Sequence, residues 1–243
     1  GLAYYSTNGG GTMAFTNTYL PVYGLGASPT FTVQSSNGWQ DMQITSNGGA
    51  AFVRAIADAN RGCIQKIDWS SYSYPWRDYV VCESSDTSTI VNDSGSSNSG
   101  DNRMVQFSIS DDGSVIAYVT YGSEYKDVIS GPARLKLSTD GGVTWNPVDT
   151  CPTECGSGGG GGVFISGDGM TIYQSEYVSS GKSIQKSTDK GATWTTLSTF
   201  PDDNQLDRYS LAGSKNGKVV IASSWNGDEF DFAVTRDGGA NWE

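Results

Sequence analysis

The 243-residue sequence has no histidine, only 15 lysine and arginine residues, four cysteines and no long apolar run. Without histidine, neither a Ser-His-Asp triad nor a histidine-containing zinc site can form. A membrane-spanning helix needs about 20 consecutive apolar residues, so none is expected. The net charge of −11 repels nucleic acid and anionic membranes, and the few cations form no basic stripe. These absences exclude acyl transfer, nucleic-acid binding and membrane insertion.

Helical periodicity is also missing, because no long stretch repeats apolar residues every 3.6 positions. The 32 glycines, with abundant serine, threonine and aromatic residues, instead fit many short strands joined by turns. A chain of this length can build the core of one closed domain, so residues 1–243 are predicted as a single all-β domain.

Three octapeptides, at residues 138–145, 187–194 and 235–242, are versions of one another and start 49 and then 48 residues apart. Recurrence at such a period is typical of solenoids and propellers. In each, an Asp can accept bonds from backbone N–H groups just downstream, a Gly supplies positive φ, and a Trp opens the next strand. The residues in question are Ser138, Asp140, Gly142, Trp145, Ser187, Asp189, Gly191, Trp194, Asp237, Gly239 and Trp242.

This octapeptide resembles the Asp-box (BNR) repeat, S-x-D-x-G-x-T-W, of sialidases, Vps10/sortilin-type domains and related β-propellers. The resemblance implies that each octapeptide joins the third and fourth strands of a blade at the rim and acts as a structural fastener. It therefore implies a propeller rather than a catalytic site.

A second pattern, Ser/Thr-x-Asp/Asn-Gly before an apolar strand, occurs five times, at residues 6–9, 45–48, 110–113, 166–169 and 214–217. Such a dipeptide between apolar runs is a strong hairpin signal. Each unit is predicted as strand A, this turn, strand B, a variable loop, strand C, the octapeptide and strand D. The result is a β-propeller of about five four-stranded antiparallel blades, or part of a larger one, with blades at about 1–38, 39–103, 104–160, 161–205 and 206–243.

The first unit and the chain ends allow alternatives. Residues 6–13 also fit the octapeptide with Met13 in place of Trp, so the first hairpin joins either strands A and B or strands C and D. The chain begins at Gly1 without Met and stops one residue after Trp242, so we expect the gene product to continue. Closure of the ring by the two ends is the other reading.

The cysteines indicate an oxidising compartment. Cys63 and Cys82 lie symmetrically about the tip of a predicted hairpin, which places them opposite one another for a cross-strand disulfide. Cys151 and Cys155 bracket a short loop and are expected to form a second disulfide, the alternatives being free thiols or a metal pair. Asn92 begins a glycosylation sequon in a Ser/Thr/Gly-rich insert. Together these features predict an extracellular or cell-surface location.

Catalysis has to be considered because of the resemblance to sialidases. Their Arg-Ile-Pro segment is missing, and the adjacent Glu176 and Tyr177 would point to opposite faces of a strand instead of forming a nucleophile pair. A glycosidase needs two carboxylates roughly 5–10 Å apart. Candidates are Glu124, Asp127, Asp202, Asp203, Asp207, Asp228, Glu229 and Asp231. The alternative is that these acidic residues maintain solubility or loosely bind Ca²⁺.

Recognition is the other candidate function. Tyr72, Tyr74 and Trp76 alternate onto one side of a strand, where they either stack on sugars or pack between blades. The insert at 84–100 and the glycine run at 156–162 would make one face irregular, although the glycines also fit a flexible connection. We therefore expect a non-catalytic extracellular propeller without cofactor or metal. Its partners would be proteins, glycans or further copies in a surface fibre, appendage or matrix, and the alternative is a secreted glycoside hydrolase.

Overall fold

A computed structural model describes residues 3–5, 14–16, 41–47, 50–58, 61–68, 76–82, 103–121, 135–148, 161–178, 181–199, 209–225 and 230–243. Within these ranges all regular structure is strand, which confirms the predicted all-β fold. No helix in the same ranges is long and apolar enough to cross a membrane.

The strands form consecutive antiparallel sheets in the predicted order A-B-C-D. We call them blade 2 to blade 5, following the predicted units. Blade 2 contains β3 (Asp41–Ile44), β4 (Ala50–Asp58), β5 (Arg61–Asp68) and β6 (Trp76–Cys82). Blade 3 contains β7 (Arg103–Ile109), β8 (Ile116–Tyr121), β9 (Leu135–Ser138) and β10 (Asn146–Val148). Blade 4 contains β11 (Val163–Ile165), β12 (Ile172–Val178), β13 (Gly181–Ser187) and β14 (Thr195–Thr199).

Blade 5 has three full strands, β15 (Tyr209–Gly213), β16 (Val220–Trp225) and β17 (Phe230–Thr235). Its fourth strand position begins at Glu243, which exchanges two backbone hydrogen bonds with Val234 at 2.8 and 3.0 Å. The same register opens strand D in the two preceding blades, where the residue after the octapeptide Trp pairs with strand C. All three octapeptides therefore occupy equivalent places in their blades.

The N-terminal hairpin has the octapeptide register. It pairs β1 (Ala3–Tyr5) with β2 (Ala14–Thr16), and Tyr5 lies opposite Ala14. The two paired residues are thus nine positions apart, as are Lys186 and Thr195, which pair across an octapeptide. Residues that pair across an A–B turn, such as Ile109 and Ile116, are seven positions apart. The register thus favours strands C and D for this hairpin over strands A and B.

The core lies between neighbouring blades. One cluster joins blades 2 and 3, the next blades 3 and 4, and the last blades 4 and 5. Their largest fully buried members include Phe52, Tyr118 and Tyr173. Each octapeptide Trp packs at the edge of the cluster between its own blade and the preceding one; these residues are Trp145, Trp194 and Trp242. The octapeptides therefore help to hold consecutive blades together.

Candidate functional site

The A–B turns of blades 2 to 5 share one hydrogen-bond pattern. The first residue, Ser or Thr, donates its hydroxyl to the Asp or Asn two positions later, at 2.6 to 2.8 Å. The same hydroxyl oxygen accepts the N–H five residues on, as Ser110 does from Val115 at 2.9 Å. The following glycines adopt positive φ; Gly113, Gly169 and Gly217 lie at 72°, 72° and 66°. Short polar side chains that bond their own backbone explain why this sequence makes this turn.

A ladder of backbone hydrogen bonds links these turns from blade to blade. Ser46 N–H donates to Asp111 C=O, Asp111 N–H to Gly167 C=O and Gly167 N–H to Lys215 C=O, at 2.7 to 2.8 Å. Each residue is the second of its turn. The four A–B turns therefore form a continuous band at one end of the blades, which we call the turn ladder.

One ion pair crosses the turn ladder. Lys215 Nζ lies 3.0 Å from Asp111 Oδ2 and so connects blade 5 with blade 3. Gly167 of blade 4 lies beneath it, since a Cβ there would sit 2.8 Å from the Asp111 carboxylate. Both charged side chains are substantially exposed, so this pair contributes little to stability.

The octapeptide turns are equally uniform. The first hydroxyl accepts the N–H of the fifth residue at 2.8 Å in all three copies. The Asp carboxylate accepts the backbone N–H of the seventh residue at 2.8 to 3.0 Å. It also accepts that residue's side-chain donor, which belongs to Thr144, Thr193 or Asn241, at 2.6 to 2.7 Å. The predicted role of the Asp residues as turn fasteners matches this geometry.

These hydrogen bonds favour the ionised form of each carboxylate. The bond from the Thr144 hydroxyl, ahead of the other donors, lowers the pKa of Asp140 to about 2, and the Thr193 hydroxyl does the same for Asp189. The pKa of Asp237 is lowered too, chiefly by the Asn241 side chain. A carboxylate with such a low pKa is a poor proton donor or acceptor near neutral pH. The octapeptide carboxylates thus stay ionised and bonded within their turns near neutral pH.

Each octapeptide is also tied to the A–B turn of its own blade. Gly141 N–H donates to Ser114 C=O at 2.8 Å, and Gly238 N–H donates to Lys218 C=O at 2.9 Å. In blade 4 the donor at this position is Lys190, which bonds Met170 C=O at 3.1 Å and has a φ of 59°. Lys190 is the one non-glycine residue with positive φ in the described part of the chain.

Polar side chains on the A strands connect the blades, and the sequence analysis did not predict this feature. Gln106 of β7 accepts the N–H groups of Val163 and Leu211 at 3.0 and 3.2 Å and donates to Leu211 C=O at 2.9 Å. Gln43 of β3 bridges to β7 in the same way. The available signal was a glutamine between apolar neighbours in strand A, as in Met104-Val105-Gln106-Phe107 of β7 and Met42-Gln43-Ile44 of β3.

Between blades 4 and 5, polar groups of buried or half-buried side chains also cross the junction. Tyr173 donates its hydroxyl to Gly217 C=O at 2.8 Å, and Lys186 donates to Gly238 C=O at 2.7 Å. Burial, with a smaller contribution from Asp237, raises the pKa of the Tyr173 hydroxyl to about 12. Tyr173 therefore stays protonated and acts as a hydrogen-bond donor to the next blade.

Most of the candidate catalytic carboxylates cannot be placed, because Glu124, Asp127, Asp202, Asp203, Asp207, Asp228 and Glu229 are outside the described residues. Asp231 lies on β17 opposite Ser224. In the described ranges no three His, Cys, Asp or Glu residues are grouped as metal ligands.

The backbone register supports one cysteine prediction. Cys63 on β5 lies directly opposite Cys82 on β6, as the symmetric spacing indicated, while the bond between their sulfurs stays a prediction. Cys151, Cys155 and Asn92 fall outside the described residues.

The structure describes part of the predicted row of aromatic residues and part of the glycine run. Trp76 lies on β6, where it pairs with Asp68, and Tyr72 and Tyr74 are outside the described part. The glycine run ends in ordered structure: Gly162 donates to the Ser175 hydroxyl at 2.6 Å and accepts the Ser175 N–H at 3.0 Å. Gly162, the last glycine of this run, is therefore bonded to β12 just before β11 begins.

No protein-family model matches the sequence, and no curated protein matches it either. Among solved structures, the chain is similar to the GH74 enzyme of Niastella koreensis, with 13% identity, a TM-score of 0.50, and coverage of 83% of this chain and 28% of that one. It is also similar to a putative TolB from Agrobacterium tumefaciens, with 15% identity, a TM-score of 0.51, and coverage of 84% and 63%.

A third similar structure is an oligogalacturonate lyase in complex with manganese, with 12% identity, a TM-score of 0.53, and coverage of 87% of this chain and 54% of that one. These neighbours are β-propeller proteins, so the likeness shows the propeller fold. The chain spans from about a quarter to under two thirds of their lengths.

Proposed function

We propose that this chain is a non-catalytic extracellular propeller module, with Asp boxes as its octapeptides, that contacts proteins or glycans as a component of a surface fibre, appendage or matrix. One observation carries the proposal: the two ends of the blades differ in kind. At the end described above, the turns repeat the same bonds in successive blades, and their carboxylates are ionised and engaged.

At the opposite end, the connections differ in length from blade to blade. Strands B and C are joined by residues 122–134 in blade 3, 179–180 in blade 4 and 226–229 in blade 5. Variable connections on a repeated scaffold are where recognition usually evolves. The extracellular location is supported by the register that brings Cys63 opposite Cys82, since paired cysteines persist in oxidising compartments.

Binding without turnover tests this proposal. The full chain is applied to a glycan array and, in parallel, incubated with fluorogenic glycosides that include sialosides and β-glucosides. We expect micromolar glycan or protein binding and no release of fluorophore.

Hydrolysis of a fluorogenic glycoside would contradict the proposal if the hydrolysis depends on the candidate carboxylates. The informative variant is Asp228→Asn combined with Glu229→Gln, and the matched control is Asp112→Asn, which changes a carboxylate at the other end of the blades. Fluorophore release that the first variant abolishes and the control retains would establish the glycoside hydrolase instead.

A further inference from the structure

The third position of the A–B turn is an amide in blade 5 and a carboxylate in blades 3 and 4. The residues are Asn216, Asp112 and Asp168. The Oδ1 atom of each accepts the hydroxyl of the first turn residue, at 2.8 Å in blade 5 and 2.6 Å in the other two blades. It also accepts the backbone N–H two residues further on, at 2.9 to 3.0 Å. An amide and a carboxylate therefore fill the same place in the fold.

Asn216 is followed by Gly217, and this pair of residues can modify itself. In a flexible chain the backbone nitrogen of Gly217 attacks Asn216 Cγ, so that a C–N bond forms and the Cγ–Nδ2 bond breaks. The proton of the Gly217 N–H leaves with the nitrogen as ammonia, and a cyclic succinimide remains. Water then opens the ring to aspartate or to isoaspartate, in which the main chain runs through Cβ. Glycine favours the attack because it reaches conformations that are closed to other residues.

The folded turn engages both reacting groups. Gly217 is buried, and its N–H donates to the Ser214 C=O at 2.8 Å. The Asn216 side chain is exposed to water, but its carboxamide oxygen is held by the Ser214 hydroxyl and by the Lys218 N–H. Some of these bonds must break before the Gly217 nitrogen can attack Cγ. Folding should therefore suppress the reaction.

The fold also discriminates between the two products. An aspartate at position 216 would take the place that Asp112 has in blade 3, where the Ser110 hydroxyl, ahead of the other donors, lowers the pKa of the carboxyl group to about 2. Isoaspartate would add one carbon to the main chain just before Gly217. The Gly217 C=O accepts the Tyr173 hydroxyl of blade 4 at 2.8 Å, and an inserted carbon would displace it. Aspartate therefore fits this junction and isoaspartate does not.

We propose that Asn216 is a site of spontaneous deamidation that folding controls. The residue is converted while the chain is unfolded or while blade 5 is open, it is protected once the turn has formed, and only the aspartate product lets blade 5 close on blade 4. The converted chain gains a negative charge beside Lys215 of the turn ladder. The reaction consumes only water, and it does not depend on what the propeller binds.

The rate of conversion in the folded and the unfolded chain tests this proposal. The full chain is kept folded, or unfolded in urea, in the same mildly alkaline buffer, and tandem mass spectrometry follows the change from amide to acid in the peptide that contains Asn216. We expect the folded chain to react at least about 30-fold more slowly, because two or more hydrogen bonds must open first. The other Asn-Gly pairs of the sequence are followed on their own peptides. Equal rates in the two states would overturn the proposal, and so would an unfolded chain in which Asn216 stays intact.

A pair of serine variants separates the local bonds from general loosening of the fold. Ser214→Ala removes one bond to the Asn216 side chain and should speed conversion in the folded chain about fivefold. Ser110→Ala is the matched control, since it removes the equivalent hydroxyl in blade 3 and should leave the rate at Asn216 unchanged. Equal acceleration by both variants would refute control by this turn. If Ser214→Ala does not fold, the comparison of folded and unfolded wild-type protein still decides.

The fate of the two products tests the discrimination. Asn216→Asp should fold with a urea midpoint no lower than that of the wild type. Wild-type chains that are converted in urea, refolded and treated briefly with a protease should survive with aspartate, and not isoaspartate, at position 216. Equal survival of the two forms, or a markedly less stable Asn216→Asp, would contradict the fit of aspartate to this turn.

Discussion

Lys190 is predicted to be a point of conformational strain in blade 4. It adopts a φ of 59°, whereas the same octapeptide position holds glycine in blades 3 and 5, where Gly141 and Gly238 have φ of 74° and 75°. The left-handed region costs a residue with a Cβ about 1–2 kcal/mol. Glycine loses about 0.5–1 kcal/mol more than other residues in chain entropy on folding. Lys190→Gly should therefore stabilise the protein by roughly 0.5–1 kcal/mol.

Urea unfolding measures this difference. For a slope of about 3 kcal/mol per molar, the midpoint should rise by roughly 0.2–0.3 M. Lys190→Ala is the matched control, because it removes the side chain and its charge but keeps the strained backbone; it should leave the midpoint nearly unchanged. Gly141→Ala should show the reverse effect, a loss of about 1 kcal/mol, since its Cβ would meet no atom closer than 3.8 Å and only the backbone is penalised. If Lys190→Gly is no more stable than Lys190→Ala, the strain argument is wrong.

Three further predictions concern the repeated turns and the innermost strands. Gly191→Ala places a Cβ against Leu137 Cδ2 at a φ of 87°, so we expect the free energy of unfolding in urea to fall by more than about 2 kcal/mol. A loss no larger than that of Gly141→Ala, whose Cβ has open space, would contradict this packing. In the folded state Asp140 and Asp189 have pKa values of about 2, below the unfolded value of about 3.9. Their contribution to folding stability is therefore present above about pH 4 and is lost as the pH falls towards 2. The double Asp→Asn variant should therefore show a flatter dependence of the urea midpoint on pH in that window, and an unchanged slope would refute this assignment. Gln106→Ala should cost about 2 kcal/mol and speed amide exchange in β11 and β15, because two backbone N–H groups lose their acceptor; unchanged exchange would count against the bridge.

The repeated hairpins could be predicted because their information is local. The Ser110 hydroxyl bonds groups two and five residues away, and Asp140 bonds groups four residues away, so short sequence patterns specify these turns. With the turns fixed, the order and register of the strands that they join follow. The opposition of Cys63 and Cys82 follows separately, from their symmetric placement about the tip of another hairpin. At the first hairpin the sequence left two assignments open, because residues 6–13 satisfy both patterns, and the strand register favours one of them.

The contacts between blades could not be predicted in the same way. Gln106 bonds residues that lie 57 and 105 positions further along the chain, and no local pattern encodes such a distance. The strain at Lys190 was missed because the sequence pattern tolerates several residues at this position. The loop carboxylates lie in connections that share no repeat, so their spacing in the sequence says nothing about their separation in space.

The turn ladder has a consequence for how this chain can diversify. Its bonds use only main-chain atoms, and the four positions that make them carry serine, aspartate, glycine and lysine. At Ser46, Asp111 and Lys215 side-chain identity is therefore not needed for these bonds, whereas a Cβ at Gly167 would lie 2.8 Å from the Asp111 carboxylate. The molecule thus offers substitutable surface positions in blades 2, 3 and 5, where natural drift or engineering can change charge and size while the backbone bonds stay the same.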